Sequence, residues 1–179
     1  FFFFKQKTAY EIYQCDWSSD VCSSDLEVRA WATARVEEAV TADIEEGGCL
    51  SVLVVEDHPV NRMIIEAWLT SAGHVAVAAE NGEIALSMTG DQAFDLILMD
   101  VNMPVMDGLT ATRKLRETPG PNQHAPVVVL SASARAEDHE AGYAAGADAY
   151  LNKPIDFKEL AAVLHRASAG GRERLREAA

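Results

Sequence analysis

Five polar side chains in this sequence each stand at the end of an apolar run. Glu56 and Asp57 follow "LSVLVV", Asp100 follows "FDLILM", Ser131 follows "APVVVL" and Lys153 follows "DAYLN". If those runs are neighbouring strands, three carboxylates, a hydroxyl and an ammonium meet at one edge. Carboxylates within a few ångströms of one another raise each other's pKa unless a cation neutralises them, so a divalent ion is the expected companion. The candidate ligands are all oxygen, with no imidazole or thiolate in register, and that favours a hard ion such as Mg²⁺ over zinc or copper. Magnesium keeps several waters and leaves room for a phosphoryl oxygen. Lys153 and Ser131 would add positive charge and a hydroxyl donor around an incoming anion. A carboxylate is already ionised at neutral pH and needs no base to act as a nucleophile. Asp100, alone at the end of the central run, is the best placed to attack.

The elements needed to gather these groups are readable from Leu50 onward. "LSVLVVED" precedes Val60, Met63, Ile64 and Ala67 at helical spacing, with Gly73 as a stop. "HVAVAA" precedes a helical stretch from Gly82 to Met88, and "FDLILMD" precedes a helix around Leu109 to Leu115. "APVVVLSAS" precedes Ala136 to Ala145, and "DAYLN" is a fifth strand. The last helix opens with Asp156 and Glu159 as a capping box and carries Phe157, Leu160, Ala161 and Leu164 on one face. Such alternation predicts an α/β fold in which right-handed crossovers cover both faces of a parallel sheet. Burial on both faces explains why the strands are almost continuously apolar. In open sheets of this kind the ligand crevice lies beyond the carboxyl ends of the strands, where strand order reverses.

Four segments, "VVEDHPVNR", "LILMDVNMPVMDG", "VVVLSAS" and "GADAYLNKPI", occur in the order found in the receiver domain of two-component response regulators, which the chain resembles from Leu50 to about Ala169. The resemblance implies a flavodoxin-like (βα)5 three-layer sandwich with parallel strand order 2-1-3-4-5. It implies Asp100 as phosphoacceptor, Asp57 as a direct Mg²⁺ ligand, Glu56 as a partner mostly through water, and Asn102 as donor of a backbone carbonyl to the metal. Ser131 would turn its hydroxyl toward the acyl phosphate, Lys153 would pair with the phosphate, and Tyr150 would change rotamer with Ser131. Lys153-Pro154 would be a cis peptide, and Gly108 would permit a tight turn into the third helix. The donor would be a phosphohistidine on a histidine kinase or a histidine phosphotransfer protein. The stored anhydride would bias a two-state surface made of the fourth helix, fifth strand and fifth helix. Glu at 56 and Ser at 131 depart from the commonest pattern of the family and keep its chemistry. Asn102 and Ser133 occupy positions that, in the family the chain resembles, tune the lifetime of the phosphoryl group, so motifs do not set that lifetime here.

Other readings compete at single residues. Glu56-Asp57 could cap a helix that starts near Pro59, and Tyr150 could be an ordinary half-buried strand tyrosine. His58, His74, His124, His139 and His165 lack the context of a phosphoacceptor helix, and His139 is expected to be exposed on the fourth helix. An aspartyl-phosphate hydrolase needs a second acid two residues after its nucleophile, where Asn102 stands. A phosphorylation-independent binding module would be favoured by replacement of Asp57, Asp100 or Lys153, and all three are present. Nucleotide binding by a P-loop lacks its GxxxxGK[ST] motif.

The remaining sequence bounds the setting. With 179 residues, 49% of them hydrophobic, the chain suits one domain with something attached. A formal net charge of -13 opposes direct contact with nucleic acid or an anionic membrane. No apolar stretch approaches the roughly 20 residues of a spanning helix, which predicts a cytoplasmic chain with no membrane segment in this fragment. Cys15, Cys22 and Cys49 form no CxxC pair. Within residues 1–26, "KQKTAYEI" and "DWSSDVCSSDL" resemble conceptual translations of a sequencing-library adapter, so this stretch is set aside as non-native and disordered. Residues 27–49 are expected to be a linker helix, with Val28, Ala32, Val36, Val40 and Ile44 at four-residue steps up to Glu46 and Gly47-Gly48 as its stop. The receiver is expected over 50–169 and a polar helical tail over 170–179. With so little after the receiver, no output domain is expected. The chain reads as the carboxyl-terminal receiver of a hybrid sensor kinase whose kinase core lay upstream; the alternative is a stand-alone single-domain regulator.

Overall fold

The structure, a computed structural model, describes residues 48–132 and 136–176. The adapter-like residues 1–26, the helix expected up to Glu46, and Ser133 lie outside them. Strands and helices alternate as β1 (Ser51–Val55), α1 (Pro59–Ser71), β2 (Val75–Ala79), α2 (Gly82–Asp91), β3 (Leu96–Asp100), α3 (Gly108–Glu117), β4 (Val127–Ser131), α4 (Ala136–Ala145), β5 (Ala149–Asn152) and α5 (Phe157–Arg176). The five strands form one sheet in the order β2-β1-β3-β4-β5, every neighbouring pair parallel. This is the doubly wound α/β architecture expected above. Among the described residues no helix is long and apolar enough to cross a membrane.

Side chains alternate across a strand, so a sheet covered on both faces must be apolar at every position. Val52, Val54, Leu96, Leu98, Val128 and Leu130 pack with Ile65, Trp68 and Leu69 of α1 and with Leu160, Val163 and Leu164 of α5. Their neighbours Leu53, Val55, Ile97, Met99 and Val127 pack on the other face with Ala85 of α2 and with Ala111 and Leu115 of α3. Asn81 caps α2 by accepting from the Glu83 and Ile84 amides, and Asp107 caps α3 by accepting from Thr110.

Three local expectations shift. In α1 the buried stripe is Ile65, Trp68 and Leu69 rather than Val60, Met63, Ile64 and Ala67. The helix is apolar on more than one side, and Trp68, stacked on Phe157 with ring centroids 5.2 Å apart, decides which side faces the sheet. In α5 Val163 is buried and Ala161 exposed, while Asp156 caps by accepting from the Lys158 amide at 2.8 Å. The third shift concerns the end of the chain. Gly171 has φ 58° and ψ -139°, which breaks α5, and Leu175 beyond it is only 1% exposed within the core. A fully buried leucine contributes about 1.5–3 kcal/mol, so the segment read as a polar tail takes part in holding the domain.

That segment is fastened by charge as well. Asp148, fully buried, accepts from Arg116 at 2.8 Å, Arg172 at 2.5 Å, Arg176 at 2.7 Å and the Val127 amide at 3.0 Å. Arg116 also donates to the carbonyls of Gly146, Gln123 and Ala125, tying α3 to the start of β4 and the end of α4. Burial pulls Arg116 down to about 10; Asp148 opposes the fall and the charges of Arg172 and Arg176 add to it. Removing the one carboxylate strands three guanidinium groups. Asp148→Ala is therefore expected to cost about 3 kcal/mol in urea denaturation, the lower end for a broken buried pair because Arg172 and Arg176 can turn toward water.

At the opposite end of the sheet's N-terminal edge, the Leu50 amide donates to His74 Nδ1 at 3.3 Å. Burial holds this imidazole below its ordinary value of 6.5. The fold therefore favours the neutral ring. Its contribution is complete above the ordinary value and is lost as pH falls through it toward the lower folded value. Thermal midpoints measured from about pH 7.5 to pH 5 should fall more steeply for the wild type than for His74→Asn.

Candidate functional site

Strand register places the acids together. Val55 of β1 pairs with Met99 of β3, so the next residues, Glu56 and Asp100, lie side by side where both strands end. Glu56 is 1% and Asp100 4% exposed, whereas Asp57 is exposed; one oxygen from each of the three lies within 4.8 Å of the others. Lys153 begins just after β5, and its long side chain returns across the sheet edge to place Nζ 2.7 Å from Glu56 Oε2 and 2.8 Å from Asp100 Oδ2. Its backbone amide donates to the Ser131 carbonyl at 2.8 Å, and the Lys153-Pro154 peptide is cis. Ser131, 4% exposed, follows Leu130, the residue that pairs with Asp100. The exposed Asn102 donates its amide to Asp100 Oδ1 at 3.3 Å.

Tyr150 sits differently from the other expected site residues. Its ring stacks on His139 with centroids 4.4 Å apart, meets Tyr143 edge-on at 5.1 Å, and donates its hydroxyl to the His139 carbonyl at 3.0 Å. A Cβ at Gly142 would lie 1.4 Å from that hydroxyl, so only glycine leaves the notch the ring enters. His139, expected to be exposed, is half-buried against this ring. The structure thus gathers Glu56, Asp57, Asp100 and Lys153, sets Ser131 and Asn102 beside them, and holds Tyr150 against α4. His58 is the N-cap of α1 and makes no side-chain capping bond, so Glu56 and Asp57 do not serve as the cap.

The electrostatics are unbalanced. Three carboxylates against one ammonium leave two negative charges, and two of the carboxylates are almost dry. Burial raises the pKa of Asp100; hydrogen bonding and charge from Lys153 pull it back, Glu56 pushes it up, and the Asn102 amide lowers it. Burial lowers Lys153, but hydrogen bonds to Asp100 and Glu56 and the charges of both outweigh it, leaving the ammonium above its ordinary value. A hard divalent cation fits this donor set, because it neutralises the excess charge with oxygen ligands alone.

Two supports escaped the sequence reading. Asn61 Nδ2 donates to Glu56 Oε1 at 2.9 Å, and Arg62 Nη1 donates to the Glu56 carbonyl at 2.9 Å while Nη2 pairs with Glu80 at 3.3 Å. Both residues lie within "EDHPVNR", but their targets become apparent only once the first turn of α1 is laid over the end of β1. Gly108 is needed for a reason other than a turn. A Cβ there would lie 1.9 Å from the Asp100 carbonyl oxygen, so α3 can begin against the acceptor strand only with glycine. The left-handed backbone of this loop falls instead on Val105, φ 69°, which is 79% exposed.

The fold and this site define a doubly wound α/β domain with an acidic centre at its switch-point edge. The family model for the response regulator receiver domain matches residues 52–165, and the chain belongs to that family. The sensor protein GacS of Pseudomonas syringae pv. syringae is 36% identical over 166 residues, covering 89% of this chain and 18% of the relative. The two-component response regulator ORR41 of Oryza sativa subsp. japonica is 41% identical over 119 residues, covering 64% of this chain and 91% of the relative. The receiver domain of sensor histidine kinase PA1611 from Pseudomonas aeruginosa PAO1, solved with a magnesium ion coordinated in its active site cleft, matches with a TM-score of 0.64 at 36% identity, covering 69% of this chain and 100% of that one. The chain contains a receiver domain of two-component phosphorelay signal transduction. It spans 18% of the length of GacS and 16% of that of histidine kinase 5 from Arabidopsis thaliana.

Because the folded pKa of Asp100 lies above its ordinary value of 3.8, its ionisation opposes folding once pH rises past that value. Without divalent cations, Asp100→Asn should melt above the wild type at pH 7. The gap should narrow as the pH is lowered and as Mg²⁺ is added to the wild type.

Proposed function

We propose that Asp100 accepts a phosphoryl group from a phosphohistidine on a histidine kinase or a histidine phosphotransfer protein in a Mg²⁺-dependent reaction. The observation that carries this is the nearly dry Asp100 carboxylate, 2.8 Å from the Lys153 ammonium and clustered with Glu56 and Asp57. An Asp100 oxygen attacks phosphorus, the phosphorus–nitrogen bond breaks, and the departing imidazole takes a proton from water. Asp57, Asp100 and the Asn102 carbonyl would hold Mg²⁺, with Glu56 meeting it through water, and the ion would supply neutralisation of the phosphoryl oxygens. Lys153 leaves its ion pair with Asp100 and follows the charge onto the phosphoryl group. The Ser131 hydroxyl donates to a phosphoryl oxygen, and Tyr150 shifts with it. The surface of α4, β5 and α5 then carries the signal.

In this reading the domain stores a phosphoryl group and is not itself an enzyme. Its parent is a hybrid sensor kinase, supported by the match of GacS to 89% of the chain. A stand-alone regulator is the second reading, favoured by ORR41, 91% of whose length the match covers.

Incubation with Mg²⁺ and acetyl phosphate followed by intact mass measurement tests the acceptor. One phosphoryl adduct is expected on the wild type, lost on chelation of the metal and absent from Asp100→Asn. An adduct that persists in Asp100→Asn would move the acceptor to another residue.

A further inference from the structure

Glu56 is held on every side. Its amide donates to the Ala79 carbonyl at 3.1 Å and its carbonyl accepts from Arg62 at 2.9 Å. Both carboxylate oxygens are engaged within the protein: Oε2 accepts from Lys153 at 2.7 Å and Oε1 from Asn61 Nδ2 at 2.9 Å. A glutamate carries one methylene more than an aspartate and one more torsion to fix. An unanchored carboxylate on that arm samples several rotamers, some directed into the acidic cluster and some away from it. Asn61, on the first turn of α1, removes this freedom through a neutral donor, adding no charge to a site already short of positive charge.

From this geometry we propose that Asn61 is a positioning residue for the phosphoryl-transfer site. It fixes the Glu56 carboxylate so that Lys153 stays over Asp100, and so that Glu56 meets the metal through water rather than directly. The inference rests on the metal-dependent reading given above. It assigns the asparagine of "EDHPVNR" a task tied to glutamate at position 56. An aspartate there would end one carbon–carbon bond short of Asn61 and could not use it.

The test is a double-mutant cycle read as Mg²⁺ affinity, by calorimetry or amide chemical shifts, on the full chain. Asn61→Ala should weaken Mg²⁺ binding about tenfold, the scale of losing a group that orients a metal partner. In a Glu56→Asp background the same change should leave affinity within about twofold, as for uncoupled sites. Thermal melts check that each variant is folded, and Asn61→Leu, of similar volume and without a donor, repeats the test if the alanine variant is not. Equal losses in both backgrounds would overturn the inference, because Asn61 would then act on the fold at large. Unchanged or tighter binding in Asn61→Ala would overturn it as well, since a released Glu56 would be ligating directly. In both of those cases the wild type still binds Mg²⁺ and Asp100 still takes a phosphoryl group, so the functional reading survives. A wild type that binds no Mg²⁺ would remove both.

Discussion

The structure turns on the crowding of Glu56, Asp57 and Asp100 around one ammonium. Two of these carboxylates are nearly inaccessible to water, and Lys153 reaches both from a strand two places away from Asp100. Such an arrangement is poor for stability, because burial raises the cost of each charge and only one cation answers three anions. It suits the proposed chemistry, because a dication beside a phosphoryl group would answer the same deficit. The rest of the fold supplies the stability that this corner gives up.

That compensation is visible on both faces of the sheet. Alternate side chains of β1, β3 and β4 enter two separate apolar layers, and β3, which carries Asp100, is buried at every position, as is its neighbour β4. Close approach replaces flexibility where the helices meet the site. Gly108 lets α3 start against the Asp100 carbonyl, and Gly142 lets α4 receive the Tyr150 hydroxyl. The site is thus bordered by backbone that leaves little room for side chains to shift.

A second ionic centre lies at the other end of the sheet, where Asp148 gathers Arg116, Arg172 and Arg176. Its charge balance is the reverse of the acidic site, with three cations on one anion. It joins the end of α3, the start of β4 and the last turn of α5 far from the reacting groups. Tyr150 follows Asp148 by two residues on β5 and packs against His139 and Tyr143 of α4, so one short strand links the ionic anchor to α4.

Much of this was legible in the order of residues. Strand positions, the two-sided burial of the sheet, and the convergence of Glu56, Asp57, Asp100 and Lys153 follow from apolar runs that end in polar groups, since alternation between strand and helix allows few topologies. The buried side of α1, the loss of Ala161 to solvent and the role of Leu175 did not. In each case several apolar faces or a mostly polar segment were locally acceptable, and contact with a partner such as Phe157 made the choice. Asn61, Gly142 and Asp148 show the same limit. A single amide, a missing Cβ or a lone carboxylate has no pattern of its own in the sequence. Its meaning comes from the group that folding brings within three ångströms of it, because hydrogen bonds and steric exclusion act over distances that only tertiary structure sets.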